Sequence, residues 1–287
     1  MKTRLLFLFL LVYGIQFAQI TDSKNIVATD KKLELLADGY IFTEGPISDK
    51  NGNVFFTDQP NNKIIRWDAE SGKTSVFTDD SGRSNGLYFD KKGNLIACAD
   101  MDNQLWQFDK KGKHKVIYED KVNAHNGPND LWIDQKNGIY FTDPLYVRNY
   151  WKRDSVSKRN GKNVYYVSPD RKKVMAVATD FVQPNGIIGS PDGKFLYASN
   201  RAHESITVYA IDAKTGKLTW VDNTPVEGKT PRNFMIDPSD KFLIVANQNS
   251  DDIYVFKRNK KTGLLTYTNQ MINVGSPVCL KMTPVVN

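Results

Sequence analysis

One hairpin outline occurs five times along this chain and leaves few folds open to it: an apolar strand, an Asp-rich turn with glycine, and a second apolar strand ending in a small polar cluster. Its first copy is FTEGPISDKNGNVFFTD, from Phe42 to Asp58. Aligned on the turn residue, the copies sit at Asp49, Asp90, Asp134, Ser190 and Asp237, roughly 40 to 56 residues apart. Repeats of that length, each with several short strands, predict an all-β propeller. Blade one reads EGPISD, NVFFTD, KIIRWD and TSVFTD, and blade two NGLYFD, NLIACAD, QLWQFD and HKVIYED. Blades three, four and five follow from NDLWID, NGIIGS and NFMIDPS. After them only SPVCLKM remains, one strand's worth. A sixth blade therefore has to draw on NIVATD and KLELLAD near the N-terminus, so six blades of four antiparallel strands are expected. The last is incomplete and closed by strands from both termini, which removes an exposed sheet edge.

Five residues before each turn anchor stand Glu44, Asn85, Asn129, Asn185 and Arg232. The innermost strands of a propeller start around one central mouth, so these side chains are expected to converge there. Oxygen-bearing side chains in a ring suit a hard cation. Asn85-Gly86 and Asn185-Gly186 also fit a plainer role, an Asn-Gly turn with positive φ. A carboxylate at Glu44 does not fit that role. The third repeat departs from the others between Pro144 and Asn163, where LYVRNYWKRDSVSKRNGK is aromatic and basic together. A loop of that length usually has a function of its own. Tyr146, Tyr150 and Trp151 are placed to cover the mouth.

Lys2 and Arg4 precede an apolar run from Leu5 to Tyr13, and Phe17-Ala18-Gln19 offers a small residue for cleavage. That layout predicts a secretory signal over residues 1–19, a secreted or periplasmic mature protein, and a single domain over residues 20–287. The apolar run is too short to span a bilayer, and no stable membrane insertion is expected after the signal is removed. The formal net charge of +7 is spread through turn lysines such as Lys91, Lys92, Lys110 and Lys111 rather than along one stripe. This argues against nucleic acid as a partner. Cys98 and Cys279 both lie in apolar strand patterns and read as free thiols.

TEGP at Glu44, GPND at Asn129, FTDP at Asp143 and QPNG at Asn185 resemble the senescence-marker-protein/gluconolactonase family of six-bladed propellers, from Phe42 to about Ser190. That resemblance implies a divalent cation, commonly calcium with zinc, magnesium or manganese as alternatives, held by Glu44, Asn129 and Asn185. It also implies hydrolysis of a small-molecule lactone, with Asn85 and Asp143 near the substrate. From about Pro191 onward, FLYASNRAHESITVY and TPRNFMIDPSDKFLIVANQNSDDIYVF resemble the C-terminal half of the 6-phosphogluconolactonase-type propellers. These are seven-bladed and lack that metal site. Where the gluconolactonase pattern has Asp as metal ligand and base, this chain has Arg232, which cannot coordinate a cation.

Three readings follow. A metal-assisted lactonase would hold its cation with Glu44, Asn129 and Asn185 and take its base from Asp130, Asp143 or His125. A metal-free lactonase would use Arg232 on the substrate's oxyanion or anionic group. In either lactonase Asn85 and Tyr146 are candidate substrate contacts. A non-catalytic binding propeller is the third.

Overall fold

The computed structural model describes residues 33–153 and 159–283, and these form an all-β propeller of five four-stranded antiparallel sheets. Blade one comprises β1 (Thr43–Ser48), β2 (Val54–Asp58), β3 (Lys63–Trp67) and β4 (Thr74–Thr78). Blade two has β5 (Leu87–Phe89), β6 (Leu95–Ala99), β7 (Gln104–Phe108) and β8 (His114–Glu119). Blade three has β9 (Leu131–Ile133), β10 (Ile139–Asp143), β11 (Lys162–Val167) and β12 (Val174–Phe181). Blade four has β13 (Pro184–Gly189), β14 (Phe195–Asn200), β15 (Ser205–Ile211) and β16 (Leu218–Pro225). Blade five has β17 (Pro231–Ile236), β18 (Phe242–Asn247), β19 (Asp252–Arg258) and β20 (Leu265–Asn273). Among the described residues no helix is long and apolar enough to cross a membrane.

Local chemistry fixes the first hairpin of each blade. The Oδ1 of Asp49 accepts from the amides of Asn51 and Asn53, that of Asp90 from Lys92 and Asn94, and that of Asp134 from Lys136 and Gly138. Asp237 and the Ser190 hydroxyl serve their own turns in the same way. Each side chain satisfies amides that the tight turn leaves without a ladder partner. Between blades the apolar faces interleave into continuous clusters. Ile96, Cys98, Leu105, Leu131 and Phe141 join blades two and three, and Phe195, Tyr197, Phe234 and Val245 join four and five.

The expected sixth blade is not formed. Residues 33–38 and 276–283 are in no strand, and the NIVATD segment lies outside the described residues, as does the predicted signal. The C-terminal tail passes between blade five and blade one as a single line of chain. Leu280 donates its amide to Asn233 Oδ1 (3.1 Å), Thr283 donates its hydroxyl to the carbonyl of Gly52 (2.9 Å), and Leu280 packs on Met235, Ile244 and Ile253. The physical reason lies in the count of strands. One strand's worth of chain finds side-chain and single-amide partners there but no neighbour with which to build a ladder, and the leucines at 33, 35 and 36 stay exposed.

Candidate active site

The five residues at the inner-strand entries lie where the repeat register places them, and all five are buried. Three of the inner strands carry a β-bulge at this point, between Glu44 and Ile47, Pro184 and Ile187, and Pro231 and Asn233. A bulge turns a side chain away from the regular alternation, here at each of these three entries. The entries are tied around the ring by second-strand hydroxyls. Thr57 donates to the carbonyl of Asn85 (3.0 Å), Thr142 to that of Asn185 (2.7 Å) and Ser199 to that of Arg232 (3.2 Å).

Glycine allows this closeness. A Cβ on Gly86 would meet Asp130 Oδ1 at 2.3 Å, and one on Gly186 would meet the Arg232 carbonyl at 2.7 Å. Neither glycine has positive φ. The Asn-Gly pairs therefore serve close approach of neighbouring strands and not a turn.

At the centre of the ring Glu44 and Arg232 form an ion pair. Glu44 Oε1 accepts from Arg232 Nε at 3.0 Å and from Nη2, while Arg232 Nη1 donates to Gln248 Oε1 at 3.2 Å. Glu44 Oε2 accepts from the amide of Gly45 (3.2 Å) and from the Cys279 thiol (2.7 Å). Burial lowers the affinity of Arg232 for its proton, but the Glu44 carboxylate outweighs it and holds the guanidinium above its ordinary range. Burial, and then Glu44, push the Cys279 thiol well up. Both cysteines are free, Cys98 buried and Cys279 partly so.

These contacts test the expected cation. Both oxygens of Glu44 are engaged by donors, and a fixed positive charge lies within hydrogen-bond distance of the one carboxylate in the set. Among the described residues no group of three His, Cys, Asp or Glu side chains could hold a metal ion. In this arrangement the ring does not fit a divalent cation.

Two groups on the ring are without a partner, and a third group stands beside it. Asn85 Nδ2 and Asn129 Oδ1 are buried without a partner, a donor and an acceptor. Such orphans in a folded interior call for a ligand or a functional reason. The third is Asp130, beside Asn129. It accepts from the amides of Leu131 (2.9 Å) and Ile187 (3.3 Å). Burial, and then the Glu44 carboxylate, still push it up to about 7.

Asp143 and His125 are placed differently. Asp143 Oδ2 accepts from the amide of Asn126 (3.0 Å) and Oδ1 from that of Gly127 (2.9 Å). His125 Nδ1 lies 3.2 Å from Asp143 Oδ2, and its Nε2 lies 3.0 Å from the Tyr118 hydroxyl. Both side chains are fully buried. Asp58 and Asn200 hold the same position in their blades and accept backbone amides at 41–42 and 182–183 in the same way. The carboxylate of Asp143 thus pins the segment that feeds an inner strand.

The inserted loop does reach the mouth. Asn185 Nδ2 donates to the Tyr146 hydroxyl (3.1 Å), as does Arg201 Nη1 (2.9 Å). Tyr150 lies under the Arg83 guanidinium at 4.3 Å, and Trp151 donates to Asp100 Oδ2 at 3.3 Å. Three residues at the mouth escaped the sequence reading: Arg201, Gln248 and Cys279. The first two follow the last residue of a second strand, as Gln59 does. Reading the register one residue further would have found them. Cys279 lies outside every repeat.

Residues 159–282 match the family model "Lactonase, 7-bladed beta-propeller". Over 206 residues, 66% of this chain and 57% of the other, the chain is 29% identical to the gluconolactonase of Zymomonas mobilis. It is 37% identical over 67 residues, 22% of this chain and 19% of the other, to the 6-phosphogluconolactonase of Bacillus subtilis. The match thus spans little more than half the length of that gluconolactonase. Among solved structures, regucalcin from Agrobacterium tumefaciens, a calcium-binding protein, superposes with a TM-score of 0.67 at 17% identity, covering 87% of this chain and 81% of that one. By these likenesses the chain is similar to the gluconolactonases over about two thirds of its length and to the lactonase propellers over residues 159–282.

Proposed function

We propose that the mouth hydrolyses a lactone of the sugar-acid class without a metal. The observation that carries this reading is the pair of partnerless amide groups, Asn85 Nδ2 and Asn129 Oδ1, on the ring that also holds Arg232, with Asp130 next to Asn129 in the chain. A lactone carbonyl needs donors for its oxygen, and attacking water needs an acceptor and a base. Asn85 Nδ2 and the N–H groups of Arg232 not directed at Glu44 or Gln248 supply the donors. Asn129 Oδ1 accepts from the water, whose proton passes to the Asp130 carboxylate as its oxygen bonds to the carbonyl carbon. The tetrahedral intermediate collapses, the ring C–O bond breaks, and the leaving alkoxide takes the proton back from Asp130. Glu44 is then a positioning residue, fixing the guanidinium.

The test is hydrolysis of glucono-δ-lactone with and without chelator. Turnover unaffected by chelator is expected, with Asp130→Asn lowering kcat by about a hundredfold or more. A chelator-sensitive activity would favour a second reading, a cation in the mouth, which the likeness to a calcium-binding propeller supports. Turnover of no lactone would leave the binding propeller. We also propose export, from the layout of residues 1–19; mass spectrometry of the mature protein should place its N-terminus near residue 19 or 20, and an intact Met1 on the mature protein would refute it.

A further inference from the structure

We propose that Arg201 and Arg148, gathered on the ring of Tyr146, form a subsite for an anionic substituent of the substrate, a carboxylate or a phosphate. The inference rests on the lactonase reading for its substrate but not for its geometry. The charge of Arg232, the residue the sequence points to for anion binding, is compensated by Glu44. The charges of Arg148 and Arg201 are not compensated in this way: among the described residues neither forms an ion pair. Their guanidinium carbons lie 5.3 and 5.2 Å from the centroid of the Tyr146 ring.

Arg201 donates once, to the Tyr146 hydroxyl, and its Nε is buried without a partner. The Nε of Arg148 is likewise buried and partnerless. Two guanidinium groups against one aromatic ring, each with a partnerless Nε and no carboxylate bonded to either, leave positive charge that an anion beside them would compensate. Planar forks of this kind bind carboxylate and phosphate through paired N–H bonds. Asp100 lies within electrostatic reach of Arg148 but is bonded to Arg153 and Trp151, and Arg83 adds a further positive charge over Tyr150.

Position connects the pair to the ring. The Tyr146 hydroxyl accepts from both Arg201 and Asn185, so a substrate whose ring sits at Asn85 and Asn129 would present its far substituent toward Arg201. A neutral polyol tail cannot use this charge. An acidic tail can, and the enzyme should prefer it.

Calorimetric titration of the full chain with 6-phosphogluconate, glucarate, gluconate and glucitol tests the subsite without turnover. At least one of the first two should bind tenfold or more tightly than gluconate, and glucitol more weakly still. Which of them does so identifies phosphate or carboxylate. Arg201→Met should remove most of that preference, and Arg201→Lys, which keeps charge but not the fork, should restore part of it. Equal affinity of the parent for all three acids would overturn the proposal, as would a preference unchanged in Arg201→Met. A parallel assay on glucono-δ-lactone separates the two readings. An Arg201-dependent preference in a protein that opens no lactone refutes the lactonase and keeps the subsite, whereas turnover with no anion preference does the reverse.

Discussion

At the scale of single residues, the contact between Glu44 and Arg232 changes what either substitution should do. Glu44→Gln alters no volume, and from sequence alone it reads as a change that spares the fold. With Arg232 buried against it, the variant strands a guanidinium in the interior, and we expect a loss of about 3 kcal/mol in urea denaturation. An unchanged midpoint would show that the pair is not held in solution. Arg232→Asp makes the opposite change. It sets a second carboxylate beside Glu44, near Asn129 and Asn185, and a divalent ion then relieves their repulsion. Calcium should raise the melting temperature of this variant and leave that of the parent unmoved, because a ligand of the folded state stabilises it. Asp130 gives a pH signature. Its folded value of about 7 lies above the usual carboxylate value, so from about pH 4 upward the folded protein holds a proton that the unfolded chain has released. Stability should therefore fall as pH rises through that window, level off above about pH 7, and lose this dependence in Asp130→Asn. Activity should rise over the same range as the base ionises.

Among the elements, the second strand of blades one, three and four does two jobs through its last residues. Its hydroxyl, Thr57, Thr142 or Ser199, ties the ring of the next blade, and its terminal Asp or Asn pins the chain that feeds its own blade's inner strand. Asp143→Ala removes the acceptor for two buried amides and the partner of His125, and should cost several kcal/mol, whereas Asp143→Asn keeps one acceptor oxygen and should cost less. Equal losses in chemical denaturation would argue that the charge, not the acceptor, matters. Much of this was legible in the sequence because it is local. Turn anchors such as Asp49 and Asp90 act within four residues of themselves, and one register then carried Glu44 and the three asparagines to a common ring. The pairings that decide the chemistry are not local. Arg232 meets Glu44 across 188 positions and Cys279 meets it across 235, and no periodicity reports such contacts. FTDP at Asp143 shows the opposite limit, since a carboxylate that caps a strand and one that serves catalysis look alike in sequence.

For the whole molecule, the open question is how five blades remain stable where six were expected. The interval between blade five and blade one holds the single tail segment 276–283, which contributes Leu280 to the cluster of Met235, Ile244 and Ile253 and makes hydrogen bonds to Asp251, Asn233, Gly52 and Glu44. Beside it a groove of about 650 Å³, lined by Tyr40, Val54, Phe56 and Trp67 of the blade-one side together with Val278, reaches Glu44. Blade one therefore keeps part of an apolar flank uncovered, and the tail is what joins the two ends. Ending the chain at Gly275 removes one partly buried leucine and four hydrogen bonds, a loss of about 4 to 6 kcal/mol from the usual worth of each. In a protein of this size that should lower the melting temperature by on the order of 10 °C. The shortened protein should also bind more of a dye that reports exposed apolar surface. Leu280→Ala, which keeps the backbone bonds, should show only the smaller part of the loss, about 1 to 2 kcal/mol. If the shortened chain melts with the parent, the tail is not what closes the ring, and blades one and five are held by contacts on the axis alone, chief among them the bond between Arg232 and Glu44.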